Sequence, residues 1–242
     1  MTRAVVAAVA LIVSSAASPR PHLTSTVTHT SPLLPPALVL AAYQEELTQE
    51  SPPTALIFEY TVEQAGPHYI EQTHRIYRQG TSERDEILEV DGRVLPVPAV
   101  RILTRRTDRY DVTSVAPREP QYEFSFVRLL QVGSRFDYVF RTLNRAGGEF
   151  AVTDLTINGQ SLLPSVIDFR STNATGRAFG RLTYAWVDDN WLIREASVSA
   201  HVDGAPVRER ITWMNYEFPQ ALPASTFARR DFSSENVDAS AY

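Results

Sequence analysis

The sequence predicts a mainly β chain of α+β type, with about ten antiparallel strands in one curved sheet and a short helix in front. Three observations predict it. Turn pairs recur at short intervals: Gln79-Gly80, Asp91-Gly92, Ala146-Gly147-Gly148, Asn158-Gly159, Thr175-Gly176, Asp188-Asp189-Asn190 and Asp203-Gly204. Asp-Gly and Asn-Gly suit type I′ hairpins, which need positive φ at both central residues. The runs between these turns alternate in the two-residue period of strands. No long helical crossover interrupts the series, so the tight turns force antiparallel neighbours. A sheet of this size tends to curl into a full or partial barrel, whose inside is filled by side chains or holds a ligand.

The first element is a leader. Residues 1–18 read MTRAVVAAVALIVSSAAS: Arg3 gives a positive start, Ala4 to Val13 is apolar, and Ser15-Ala16-Ala17 is small. This is the pattern of a cleaved signal peptide, and the apolar run is too short to span a bilayer, which takes about 20 residues. Residues 19–35 are rich in Pro, Ser and Thr and read as a linker. The domain is expected over 36–232, with a frayed polar tail over 233–242. The expected location is the periplasm or the exterior. No later stretch is apolar enough for stable membrane insertion.

Pro36 to Gln49, PALVLAAYQEELTQ, opens the domain. Leu38, Leu40 and Leu47 are spaced roughly for one helical face, Pro36 suits a first turn, and Ser51-Pro52-Pro53 stops the helix. Strand runs follow. Leu56, Phe58, Tyr60 and Val62 alternate; His68 to Arg78 is an Arg/Tyr/Ile run; Val100 and Ile102 lead into Arg105-Arg106; Tyr138 and Phe140 share a face. Phe150 to Ile157, Ser165 to Phe169, Arg181 to Val187, Trp191 to His201 and Val207 to Met214 complete the series. Glu119 to Arg135 reads equally as a strand, with Tyr122, Phe124 and Phe126 on one face, or as a covering helix.

Composition excludes several chemistries. There is no cysteine, hence no disulfide, thiolate nucleophile or Cys-ligated metal. All 23 basic residues are arginine, so lysine Schiff bases and P-loops are absent. A net charge of -5 argues against nucleic-acid partners. His22 and His29 fall in the linker, and His68, His74 and His201 show no metal-ligand spacing. His74 shares strand parity with Ile70 and Ile76, which points it inward as a polar residue filling a sheet position. Glu83, Arg84, Asp85 and Glu86 read as a solvated edge near a turn. No G-x-S-x-G elbow is present. The expectation is therefore no catalytic residue, no metal and no cofactor. Tyr184 with Trp186, and Ile211 with Trp213, share strand faces, either as core or as cavity lining.

The ending has a more specific character. The run from Arg181 to Ala200, then VDGAPVRERITW, then NYEFPQALPASTF closing at Phe227, resembles the C-terminal half of the outer-membrane lipoprotein-sorting (LolA/LolB-like) superfamily. The resemblance covers about Leu162 to Phe227. It implies an unclosed antiparallel β-barrel whose hollow, capped by helices, holds acyl chains of a lipid or lipoprotein without catalysis. No arginine here matches the lid-contacting arginine of the lipoprotein carriers. Phe58, Tyr60, Ile102, Tyr138, Phe140, Tyr184, Trp186 and Trp213 are then the expected cavity lining, and Leu38, Leu40 and Leu47 of the first helix the expected lid. A non-catalytic binding or sensing module that recognises an envelope protein is the alternative. Pro219 and Leu222-Pro223 are expected to end the last strand and turn Phe227 onto the open end, so that Phe227→Ala costs on the order of 3 kcal/mol.

Overall fold

A computed structural model describes residues 33–104, 111–173, 176–202 and 204–228. The leader, most of the linker, Arg105-Arg106 and the tail lie outside the described residues, as do Thr175 and Asp203. The helix α1 spans Pro36–Gln49. A first meander follows: β1 (Ala55–Ala65), β2 (Ile70–Gln79), β3 (Ser82–Val90) and β4 (Arg93–Thr104). After a short helix α2 (Val112–Val115) comes a second, longer one: β5 (Tyr122–Val132), β6 (Arg135–Asn144), β7 (Phe150–Ile157), β8 (Pro164–Asn173), β9 (Gly176–Val187), β10 (Asn190–Val202) and β11 (Ala205–Glu217). The count is eleven strands in one sheet rather than ten, and the ambiguous stretch before Arg135 is the strand β5.

The two meanders join where β1 pairs with β11, giving the order β4-β3-β2-β1-β11-β10-β9-β8-β7-β6-β5. The edges β4 and β5 do not pair with each other, so the sheet stays unclosed. Every neighbouring pair is antiparallel. β4 carries Pro96 and Pro98, which have no N–H to donate and are tolerated because the strand lies at an edge.

The register assigns the two faces. Tyr60 pairs with Trp213 on one side and His74 on the other, and Phe58 pairs with Ile76. Ile193 pairs with Tyr184, Leu182 with Ile167, Leu155 with Phe140, and Tyr138 with Ile157. These residues share the covered face, and most of them form the apolar core with α1. The opposite face carries cross-strand ion pairs: Arg141 with Asp154, Arg181 with Asp168 and Arg210 with Glu195. Such exposed pairs contribute well under about 1 kcal/mol each, so that face is a solvated surface.

The hairpin between β7 and β8 shows why one turn signal was right for a different reason. A Cβ on Gly159 would lie 1.9 Å from the Phe136 carbonyl oxygen, so the chain passes too close for any side chain. The positive φ of this turn falls on Leu162 instead. Asp137, buried beneath it, accepts from Gly159 N at 3.1 Å and from Arg135 Nε at 2.8 Å. Gly159→Ala is expected to cost about 2–3 kcal/mol, since the backbone must shift to admit the methyl group. A urea melt checks it.

The C-terminal segment differs from its expectation. Ala224–Phe227 forms a 3-10 turn against β3. Arg84 donates to the Thr226 carbonyl at 3.2 Å, and Leu222 N donates to Gln79 Oε1 at 2.6 Å. Arg84 points away from the face that carries Asp85, so the segment clasps the outside of the sheet rather than sealing the hollow. Phe227 is only half-buried. The expected cost of Phe227→Ala falls to about 1 kcal/mol, in proportion to the smaller apolar area lost.

Candidate binding hollow

The covered face divides into two regions. Over β5 to β9 it is filled. Val39, Tyr43 and Leu47 of α1 are buried at i, i+4 and i+8, which lines them up on one side of the helix. Tyr43 meets Phe124 edge-on at 6.3 Å, and its hydroxyl donates to the Pro117 carbonyl at 2.5 Å. Arg118 donates to the Leu47 carbonyl at 3.2 Å near the helix end. α2 packs against α1 and β10. Its Asp111 caps it by accepting from Thr113 N at 2.8 Å.

The expected lid residues are therefore placed unequally. Leu47 is buried, Leu40 packs against the core, and Leu38 points to solvent at 57 % exposure. Val39 and Tyr43 carry the packing that was assigned to Leu38. The i, i+4, i+8 spacing was present in the sequence, but the leucines drew the face round by about 100°.

The expected lining residues also divide. Phe58, Tyr138, Phe140, Tyr184 and Trp213 are buried on the covered face, with Tyr60 packed against them. Trp186 lies at the rim, 51 % exposed, with its ring edge-on to Trp191 at 5.1 Å. Ile102 faces the other way: it pairs with Arg84, whereas Asp85 pairs with Arg101.

Over β1, β2, β10 and β11 the covered face is partly open. A pocket of about 220 Å³ lies at the C-terminal end of α1, lined by Glu50, Phe58, Arg78, Asp111, Trp191, Trp213 and Tyr216 among others. This falls below the ~300 Å³ at which small-molecule sites usually begin. With α1 in place, this pocket alone has no room for a long acyl chain.

A polar cluster flanks this pocket, and it corrects the reading of β3 as a solvated edge. Glu83 and Asp85 are 4 % and 2 % exposed. Glu83 pairs with Arg78 at 3.2 Å. Asp85 lies 2.8 Å from His74 Nδ1 and 2.6 Å from Arg101 Nη2. His74 stacks on Tyr60 with ring centres 4.6 Å apart. Burial alone would raise the Asp85 carboxyl, but the hydrogen bonds and charges of His74 and Arg101 outweigh it and hold the carboxyl below its usual value. A His–Asp pair is two parts of a nucleophilic triad. The other ring nitrogen of His74 meets Gln72 Oε1 at 3.3 Å, not a hydroxyl. The pair reads as a buried structural bond. Among the described residues no group of His, Asp and Glu is arranged to hold a metal.

Glu50 is the other titratable group of note. Burial, and then the negative charge of Asp111, push its carboxyl up to about 7 from the ordinary 4.5. A raised carboxyl costs no stability below the ordinary value of 4.5; stability falls as pH rises from there through about 7, and the full cost remains above it. Glu50→Gln is therefore expected to leave stability unchanged near the ordinary carboxyl value of 4.5. At pH about 8 it should stabilise by roughly 1–2 kcal/mol, a figure reduced for the partial exposure of the group. Urea melts of both proteins across that range check the sign.

No protein-family profile and no curated protein matches the chain. Three solved structures are similar to it. A LolA superfamily protein from Nitrosomonas europaea is 11% identical with a TM-score of 0.42, covering 78% of this chain and 97% of that one. A DUF1329 family protein from Desulfovibrio piger is 11% identical with a TM-score of 0.43, over 78% and 97% of the two chains. A domain assigned as an outer membrane lipoprotein-sorting protein, from Vibrio parahaemolyticus, is 11% identical with a TM-score of 0.42, over 78% and 95%. The first and third carry the superfamily name that the C-terminal ending resembles.

Proposed function

We propose that this protein is an exported, non-catalytic carrier that shelters an acyl chain of a lipid or lipoprotein in its hollow, with α1 as the cover that gives way. One observation carries the reading: the apolar middle of the covered face lies under α1, a helix that is not part of the sheet. Among the described residues, two hydrogen bonds from side chains tie that helix to the rest of the domain.

The energies are matched. Burying Val39, Tyr43 and Leu47 is worth about 2 kcal/mol each. A buried methylene of an acyl chain contributes about 0.8 kcal/mol, so roughly eight of them offset the loss of the helix face. A chain of ordinary lipid length exceeds that, and a shorter one does not. Exchange of helix for ligand thus needs no cofactor and no covalent step. The leader-like residues 1–18 support export.

The second reading, a module that binds an envelope protein, is favoured by the filled interior together with exposed Phe126, Val127, Phe136 and Leu143 on the β5–β6 hairpin. Native mass spectrometry of the exported protein, with organic extraction of what accompanies it, separates the two. Bound lipid or acylated peptide is the expected result. A clean apo mass, with no uptake of a fluorescent fatty acid, would move the function to the hairpin surface.

A further inference from the structure

The two edges of the sheet are not alike. β4 carries Pro96 and Pro98, which remove donors from its edge and oppose the addition of a further strand. β5 reads YEFSFVRLLQV, with no proline and no glycine. Among the described residues its one strand partner is β6. Its other side is an edge about 35 Å long, with backbone donors and acceptors ready for another strand. Phe126 and Val127 in the middle of this edge, and Val132 at its end, are exposed.

The register assigns each side chain of β5 to a face. Phe124 pairs with Thr142, Phe126 with Phe140 and Leu129 with Tyr138, so these three lie on the covered face. Glu123 pairs with Leu143 and Arg128 with Val139, so these two lie on the outer face. Val127 is the extra residue of a bulge. With the bulge set aside, the acid and the base stand at equal distances on either side of Ser125. Among the described residues Arg128 is exposed and has no ion-pair partner. Glu123 holds Arg145 at 2.8 Å and is itself half-exposed.

We propose that β5 pairs with β5 of a second copy of this chain, antiparallel about a two-fold axis through Ser125. In that register Glu123 faces Arg128 of the second copy on the outer side, and the symmetry makes this pair twice. On the covered side Phe124 faces Phe126 of the second copy and Tyr122 faces Leu129. Moving the axis by one residue either way sets Glu123 against Ser125 or Leu130 and loses both ion pairs. A foreign strand has to bring the matching charges, whereas a second copy brings them by symmetry. A bulge turns an edge away from a flat strand, but two copies with the same bulge are twisted alike. Paired residues share a face, so the two covered faces open on the same side of one continuous sheet. The inference stands apart from the carrier reading, because the edge pairs whether or not the hollow is filled. One strand pair buries less than the about 1,200 Å² of a standard interface, so the dimer is weak, with a midpoint on the order of 10 µM.

Sedimentation velocity and native mass spectrometry of the exported chain, from about 1 to about 200 µM, test it. A dimer is expected within that range. Glu123→Arg and Arg128→Glu each set like charges opposite one another twice, and each should weaken the dimer at least about tenfold. Both positions are exposed, so the melts of the two variants should match that of the parent. Mixed together, the two variants should form a heterodimer about as tight as the parent dimer, since each supplies the charge that the other lacks. Glu195→Arg, on the outer face of β10 and remote from β5, controls for net charge and should leave the dimer intact. A dimer indifferent to both reversals, one weakened as much by Glu195→Arg, or a mixture that stays monomeric would overturn the proposal. A parent chain that is monomeric throughout would overturn it too, and would leave the edge to a strand of another protein.

Discussion

Trp213→Ala is expected to lower the unfolding free energy by about 4 kcal/mol, within the range for removing a buried tryptophan. Trp213 is 1 % exposed and sits in the middle of β11, the strand that joins the two meanders through β1. Its ring lies 6.2 Å from that of Tyr60, so it packs across the seam itself. The substitution leaves a cavity in the one place where the β1–β4 half and the β5–β11 half are fastened. A loss of cooperativity is expected along with the loss of stability, with the first meander unfolding at lower urea than the second. Circular dichroism and amide exchange, followed together through one melt, check both. A single shared transition shifted by less than about 1 kcal/mol would mean that the seam is held elsewhere.

Tyr43→Ala is expected to cost about 3–4 kcal/mol and yet to tighten the binding of a fatty acid. The two effects have opposite signs because, in the proposed carrier, Tyr43 is core in the closed state and competitor in the bound one. Its ring is buried against Phe124 and its hydroxyl bonds to Pro117. Removing it lowers the population of the covered state, and apparent affinity rises with the fraction that is competent to bind. A tenfold gain follows if the cover is destabilised by about 1.4 kcal/mol relative to the sheet. Tyr43→Phe keeps the ring and loses one hydrogen bond, so it should show about 1 kcal/mol of the stability effect and a correspondingly small gain in affinity. A fatty-acid displacement titration of the three proteins checks the order.

The sheet was legible in the sequence because it is built from local pairs. Nearly every neighbour in the order is joined by a short turn, and turn residues announce themselves. The pairing of β1 with β11 was not legible, since no turn connects them and their register depends on residues some 150 positions apart. The face of α1 was misjudged by one residue, because Leu38 and Leu40 are apolar and adjacent to the true stripe of Val39, Tyr43 and Leu47. The charged run on β3 was misread for a physical reason. Alternation placed Glu83 and Asp85 inward, and an inward carboxylate is expensive unless a cation meets it. The side chains that meet them, Arg78, His74 and Arg101, lie on neighbouring strands and become partners only once the sheet has formed. Ile102 was placed inward for lack of that register. The ring stack of His74 on Tyr60 and the carboxylates beside the pocket belong to the same class of contact, visible only after folding.

The carrier mechanism depends on α1 giving way to a ligand. Hydrogen–deuterium exchange over residues 36–49, with and without a saturating long-chain fatty acid, tests this most directly. Bound ligand should speed exchange in α1 while the buried strand residues Leu155, Ile157 and Ile167 keep their protection. A fatty acid that fails to bind, or that binds and leaves exchange in α1 unchanged, would contradict the role of the helix as a cover.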